Sequence, residues 1–270
     1  MGRLVRSLRA SGRGCCSILV RIDTVTSNAN QYQEHRPSPP LTEFVECYWT
    51  ARNSTGFSGI VFPDGCVDIL VEQSGDNFTQ RIVGAMTHAL ILRGSEKRDT
   101  IAIRFSPGGI RALLGVSPVE LVDTSTSLEN VLRGPGLRVA HLPVAQAIVE
   151  LDRWLLVHLP GVDAKARNSA RIARACIESR YSTVAALSDA FGISRQHLRR
   201  QVLAATGLGP KELGRIGRMR RLSQWITAGT IPNADVAVLA GYYDQAHMVN
   251  EFRQLSGMTP GAYAKSLYRL

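Results

Sequence analysis

A chain of 270 residues that is 44% hydrophobic and 20% charged has the composition of a globular protein with room for about two domains. It holds no apolar run near the roughly 20 residues that a membrane-spanning helix needs. Its five cysteines, Cys15, Cys16, Cys47, Cys66 and Cys176, have neither the even count nor the spacing of a disulfide framework or a zinc site. The net charge of +10 is unevenly placed. Residues 1–164 carry sixteen Lys and Arg against sixteen Asp and Glu, and residues 165–270 carry sixteen against six. The excess lies entirely in the C-terminal region, which points to a polyanionic partner, most often nucleic acid. A domain that is merely soluble and basic is the plainer alternative.

In chain order, the Arg-rich start has an apolar stretch from Cys15 to Val20, too short for a signal-peptide core of roughly 7–15 residues. Residues 1–34 read as a flexible leader. After Pro37, Pro39 and Pro40, the apolar residues Leu41, Phe44, Val45 and Tyr48 recur at helical spacing. Two β-rich stretches then flank the turn tripeptide Pro63-Asp64-Gly65. RIVGAMTHALIL and TIAIRFSP read as further strands, and SPVELV as a short helix with Ser117 as N-cap and Pro118 at its first position. PVAQAIVELDRWLLVHL predicts an amphipathic helix of about four turns, ended by Pro160-Gly161. GVDAKARNS reads as a linker.

Almost everything beyond is helical in pattern. SARIARACIES and TVAALSDAFG predict two helices, with Gly192 closing the second. SRQHLRRQVLAATG, with Ser194 as N-cap, predicts the next, and the Gly-centred turn between them makes a helix-turn-helix. A longer helix runs from Pro210 to Ala228. NADVAVLAGYYDQAHMVNEFRQLSG then repeats the plan. The repeat has a register: Leu198 and Met248, Val202 and Phe252, Gly207 and Gly257, and Pro210 and Pro260 are each 50 apart. Gly192 and Gly241 are 49 apart, so the turns are expected to differ by one residue. The apolar members sit at i and i+4 and face inward. Two recognition helices on one face of B-DNA stand about 34 Å apart, and a 19-residue connecting helix supplies roughly 28 Å of that. One chain thus spans two successive major grooves, with Arg215, Arg218, Arg220 and Arg221 placed between them for phosphates. A solvated helix face is the alternative for these arginines.

These residues resemble the DNA-binding domain of AraC/XylS-type transcription regulators over roughly residues 168–268. Val236-Ala237, Gly241-Tyr242, Asp244, Phe252, Gly257-Met258-Thr259-Pro260 and Tyr263 carry the resemblance in the second unit. Leu187, Ser194, Leu198, Arg200, Gly207 and Pro210 carry it in the first. More weakly, RPSPPLTEFVECYW, FPDGCVDIL and FSPGGIRALLG resemble an N-terminal domain of one branch of these regulators. The chain departs from the pattern at Asn250, where the family usually has Arg, and at Val202, where it usually has Phe. It also places Gly214 and Gly217 inside the connecting helix, each costing about 1 kcal/mol against Ala. The resemblance implies a cytoplasmic, bacterial regulator, an activator, with promoter DNA and RNA polymerase as partners, a small-molecule effector and homodimer formation. It implies DNA contacts from Ser194, Arg195, Gln196, His197, Arg199 and Arg200 in the first unit. It implies them from Asp244, Gln245, Ala246, Val249, Asn250 and Arg253 in the second, and from Arg215, Arg218 and Arg221 between them. Of these, Gln196, Arg199 and Arg200 are expected to dominate affinity. The second helix, with Gln245 and Asn250, is expected to favour an A·T-rich half-site.

The expected fold is therefore α+β: a leader (1–34), a β-rich N-terminal sensor domain with trailing helices (35–160), a linker (161–168) and an all-α DNA-binding domain (169–270). That last part is expected to have a complete core of its own and to bind DNA alone. The sequence carries no catalytic signature, since the histidines are scattered and no nucleophile elbow or phosphate loop is present. No cofactor or metal site is expected. Asp64 and Asp68 read as a turn residue and a strand-end residue rather than a catalytic pair. Two other classes stay open: a basic architectural DNA-binding protein, and a thiol- or metal-responsive regulator using Cys47 and Cys66.

Overall fold

The computed structural model describes residues 19–21, 32–53, 57–94, 98–134, 136–178 and 183–267. The architecture is α+β, an antiparallel β-rich region followed by helices. Most of the expected leader, with Cys15 and Cys16, lies outside the described residues. Leu19–Arg21 (β1) within that leader and Gln33–His35 (β2) across its end are strands. The helical spacing at Leu41 to Tyr48 misleads: a 3-10 turn at Pro39–Leu41 leads into a nine-residue strand, Val45–Asn53 (β3). All four apolar residues are buried there, because a register shift between Val45 and Cys47 against the facing strand breaks the simple alternation.

The strands expected around Pro63-Asp64-Gly65 are Phe57–Val61 (β4) and Val67–Ser74 (β5). RIVGAMTHALIL divides between the end of Asn77–Val83 (β6) and the start of Leu90–Gly94 (β7). Arg98–Phe105 (β8) and Ser125–Ser127 (β9) complete the set. The strands form a six-stranded sheet in the order β2-β3-β8-β5-β6-β9 and a three-stranded sheet in the order β1-β4-β7. SPVELV makes only a 3-10 turn at Val119–Leu121, with Pro118 rather than Ser117 in the capping position.

The helices follow: Gly109–Leu114 (α1), Val144–Leu156 (α2), Ala164–Ile177 (α3), Val184–Ala190 (α4), Arg195–Thr206 (α5), Pro210–Thr227 (α6), Ala234–Ala240 (α7), Gln245–Ser256 (α8) and Pro260–Leu267 (α9). α3 begins inside the expected linker, because the Asp163 carboxylate accepts from the Ala166 N–H and caps it.

Two apolar cores result. One packs the six-stranded sheet against α1 and α2, and includes Ala170 of α3. The other holds the helices from α3 to α9 together with Ile60, Phe62 and Ala85 of the β-rich region. The basic region's core is therefore not complete within itself. The Phe62 ring stands edge-on to Phe252 at 5.9 Å and to Tyr263 at 5.3 Å. Polar contacts reinforce this junction: Arg167 pairs with Glu43, Arg220 with Glu46, and Arg174 donates to the Thr42 carbonyl.

Sequence reading separated Asp64 from Asp68, but the fold joins them on one buried guanidinium. Arg104 lies 2.7 Å from Asp68 and 3.3 Å from Asp64, and Trp49 Nε1 donates to Asp68 at 2.9 Å. Burial pushes the Asp64 carboxyl up, and the adjacent Arg104 opposes it. The Cys66 thiol, which donates to Glu46, is likewise pushed up by burial.

Candidate nucleic-acid interface

The helical region contains the same unit twice, and side-chain chemistry as well as helix length repeats. Thr183 and Asn233 cap α4 and α7 by accepting from the N–H groups of Ala186 and Val236. Ser194 and Asp244 cap α5 and α8 by accepting from His197 and His247. Thr206 and Ser256 close the same two helices, each bonding back to the carbonyl four residues earlier and accepting from the N–H two residues later. Every pair is 50 residues apart. Gly207 and Gly257 then reverse the chain at the same left-handed φ of 77°, and Pro210 and Pro260 open the next helices.

The turns themselves are equal in length, contrary to the expected one-residue difference. α4 ends at Ala190 and α7 at Ala240, each four residues before the N-cap. Only the left-handed glycine moves, from the second turn position at Gly192 to the first at Gly241. The third position differs in fate. Ile193 packs on the core, while Tyr243 is 87% exposed.

Leu198, Val202, Met248 and Phe252 are buried as the register requires. That turns Arg195, Gln196, Arg199 and Arg200 outward on α5, and Gln245, Ala246, Asn250 and Arg253 outward on α8. Among the described residues, Arg195 and Arg199 have no hydrogen-bond or ion-pair partner. Arg200 donates to His197 Nδ1 at 3.0 Å, and Gln201 meets the other ring nitrogen at 2.8 Å, so the imidazole is held by its own helix. On α8, Arg253 reaches Asn250 at 3.4 Å, and Val249 leans on the core. Ser194 and Asp244 use their side chains as caps.

The arginines of α6 already have partners within the protein. Glu251, buried on α8, accepts from Arg218 at 2.8 Å and from Arg215 at 3.3 Å, with His247 at 3.5 Å. Arg218 also lies over the Tyr242 ring at 5.5 Å. Arg221 donates to the carbonyls of Ala240 and Glu178, satisfying orphan acceptors at two helix ends. Burial lowers its pKa from the usual arginine value. Arg220 faces Glu46 of the β-rich region. The expected phosphate contacts of Arg215, Arg218, Arg220 and Arg221 thus compete with partners already in place. Sequence reading missed Glu251 because its role depends on α6 lying beside α8. It also misjudged Gly217, where a Cβ would come 1.9 Å from the Ile177 carbonyl. That glycine allows α6 to cross the end of α3.

Residues 167–266 match a family described as a helix-turn-helix domain, and residues 33–127 match one described as a domain of unknown function, DUF6597. A protein of Streptomyces antibioticus described as an AraC-like transcription regulator is 32% identical over 83 residues. That match covers 31% of this chain and 27% of the relative, so the chain spans about a quarter of the length of the curated relative it matches. Among solved structures, ToxT from Vibrio cholerae is 12% identical with a TM-score of 0.44, over 82% of this chain and 98% of that one. The C-terminal domain of AraT, a response regulator from Geobacillus stearothermophilus, is 20% identical with a TM-score of 0.33, over 38% and 84%. These structural likenesses are too distant to carry residue roles.

Proposed function

Taking residues 167–266 as a helix-turn-helix domain of the AraC/XylS type, we propose that the chain is a sequence-specific DNA-binding transcription regulator. The observation that carries this reading is the doubled unit. Two capped helices, 50 residues apart in register, turn their polar faces outward in the region that holds the whole +10 charge. Gln196 and Arg199 of α5 read base edges, and Arg195 with Arg200 approaches the backbone. Gln245 and Asn250 read a second half-site, and a carboxamide fits adenine in bidentate fashion. Arg215, Arg218 and Arg221 act chiefly by holding α6, α7 and α8 in place. The β-rich region senses a signal and transmits it through its shared core with the helices. Activation, RNA polymerase contact, a small-molecule effector, homodimer formation and a cytoplasmic location belong to the same reading.

A thiol-responsive mechanism is less favoured, because Cys47 and Cys66 are both buried and burial keeps the Cys66 thiol protonated. Selection of bound duplexes from a random pool by the full chain tests the proposal. A motif of two half-sites about 10 bp apart, centre to centre, is expected. Salt-sensitive binding with no enriched motif would instead identify an architectural protein.

A further inference from the structure

Two segments of the β-rich region touch the C-terminal ends of the two recognition helices separately. Beyond α5, Gly207 lies so close to Val122 and Pro118 that a Cβ there would meet Val122 Cγ2 at 2.5 Å and the Pro118 carbonyl at 2.7 Å. At the end of α8, the Leu255 carbonyl, an orphan acceptor of the last turn, takes a hydrogen bond from the Ala89 N–H at 2.8 Å. Residues 118–124 and 84–89 are in turn fastened to each other. Gly84 N–H donates to Thr124 and Asp123 N–H donates to Ala85. The Asp123 carboxylate accepts from the Thr87 N–H at 2.7 Å and from its hydroxyl at 2.6 Å, and His88 stands 3.5 Å away.

The fastening residue is conformationally unusual. Asp123 has φ 54°, the one positive φ outside glycine among the described residues. A side chain there is held by its surroundings, and Asp and Asn tolerate that region better than other residues do. The recognition helices are therefore joined twice, once through α6 and once through this brace. Two rigid links close a ring, and a closed ring has one separation where an open pair has a range.

We infer that Asp123 is a positioning residue: by tying residues 84–89 to residues 118–124 it fixes the separation of α5 and α8, and with it the half-site spacing accepted on DNA. The inference rests on the regulator reading above. It is tested with the full chain on duplexes carrying its selected motif, with 1 or 2 bp added or removed between the half-sites. The parent and Asp123→Asn, whose carboxamide can still meet Thr87, should each lose at least about tenfold in affinity when the spacing changes by 2 bp. Asp123→Ala should lose less than about threefold, because two backbone bonds alone then hold the segments and the helices can adjust. Asp123→Gly provides the same comparison without backbone strain, should the alanine variant fail to fold. If both variants keep the parent's spacing penalty, the brace has no such role. A parent that selects no two-part motif overturns the regulator reading itself, a result distinct from an unchanged penalty.

Discussion

The two helix-turn-helix units share caps, closing bonds and buried positions, yet they are held differently. In the first unit, the outward cations of α5 stand free or bond within their own helix. In the second, α8 is anchored from behind, through Glu251 to two arginines of α6 and through Phe252 to Phe62. The same backbone thus serves two purposes. The first unit offers more long donors to a ligand, and the second packs an aromatic ring of its outer helix against Phe62 of the β-rich region.

The largest effect that would break this comparison is expected at Phe62. Phe62→Ala removes a buried ring from between Phe252 and Tyr263 and should cost about 3–5 kcal/mol, read by denaturant unfolding of the full chain. Residues 165–270 alone should be similarly weakened, and a fragment as stable as its counterpart in the full chain would show that the shared core is incidental. Next in size, Glu251→Ala leaves Arg215 and Arg218 without their shared acceptor and should cost roughly 2–3 kcal/mol. The loss should fall on second-unit DNA contacts more than on first-unit contacts, as footprinting would show.

Smaller effects sharpen the contrast in reading. Arg199→Ala should weaken binding to the selected site by about 1–3 kcal/mol, and Arg253→Ala by less, both measured by titration at fixed salt. Equal losses would mean that the units read with equal weight. The smallest expected effect concerns the thiols. Burial raises Cys176 to about 12 and holds the Cys66 thiol well above its usual range, so native-state alkylation at pH 8 should leave both intact on a timescale at which the unfolded chain reacts. Prompt labelling of Cys66 would revive the redox alternative.

The helical region was readable because its signals are local. The cap Ser194, the closing glycines, and apolar pairs at i and i+4 act within a few residues of where they are written. The β-rich region was harder. Leu41 to Tyr48 mimic a helix because a 3-10 turn feeding a bulged strand buries residues at nearly helical spacing. RIVGAMTHALIL hides two strands of different sheets behind one apolar run. At the candidate interface, the outward faces of α5 and α8 followed from helical periodicity, whereas the engagement of the α6 arginines did not. Glu251, Glu46 and Phe62 lie 33 to 201 residues from the groups they hold, and no periodicity announces such a partner. The apparent flaw at Gly217 was likewise a contact with a distant carbonyl.

Hydroxyl-radical footprinting of the full chain on its selected duplex, with the protein-to-DNA ratio measured on the same complex, tests the central claim most directly. One polypeptide reading two grooves predicts two protected patches for each bound chain, on one face and about one helical turn apart. A single protected patch, or two patches that appear only when two chains are bound, would contradict it.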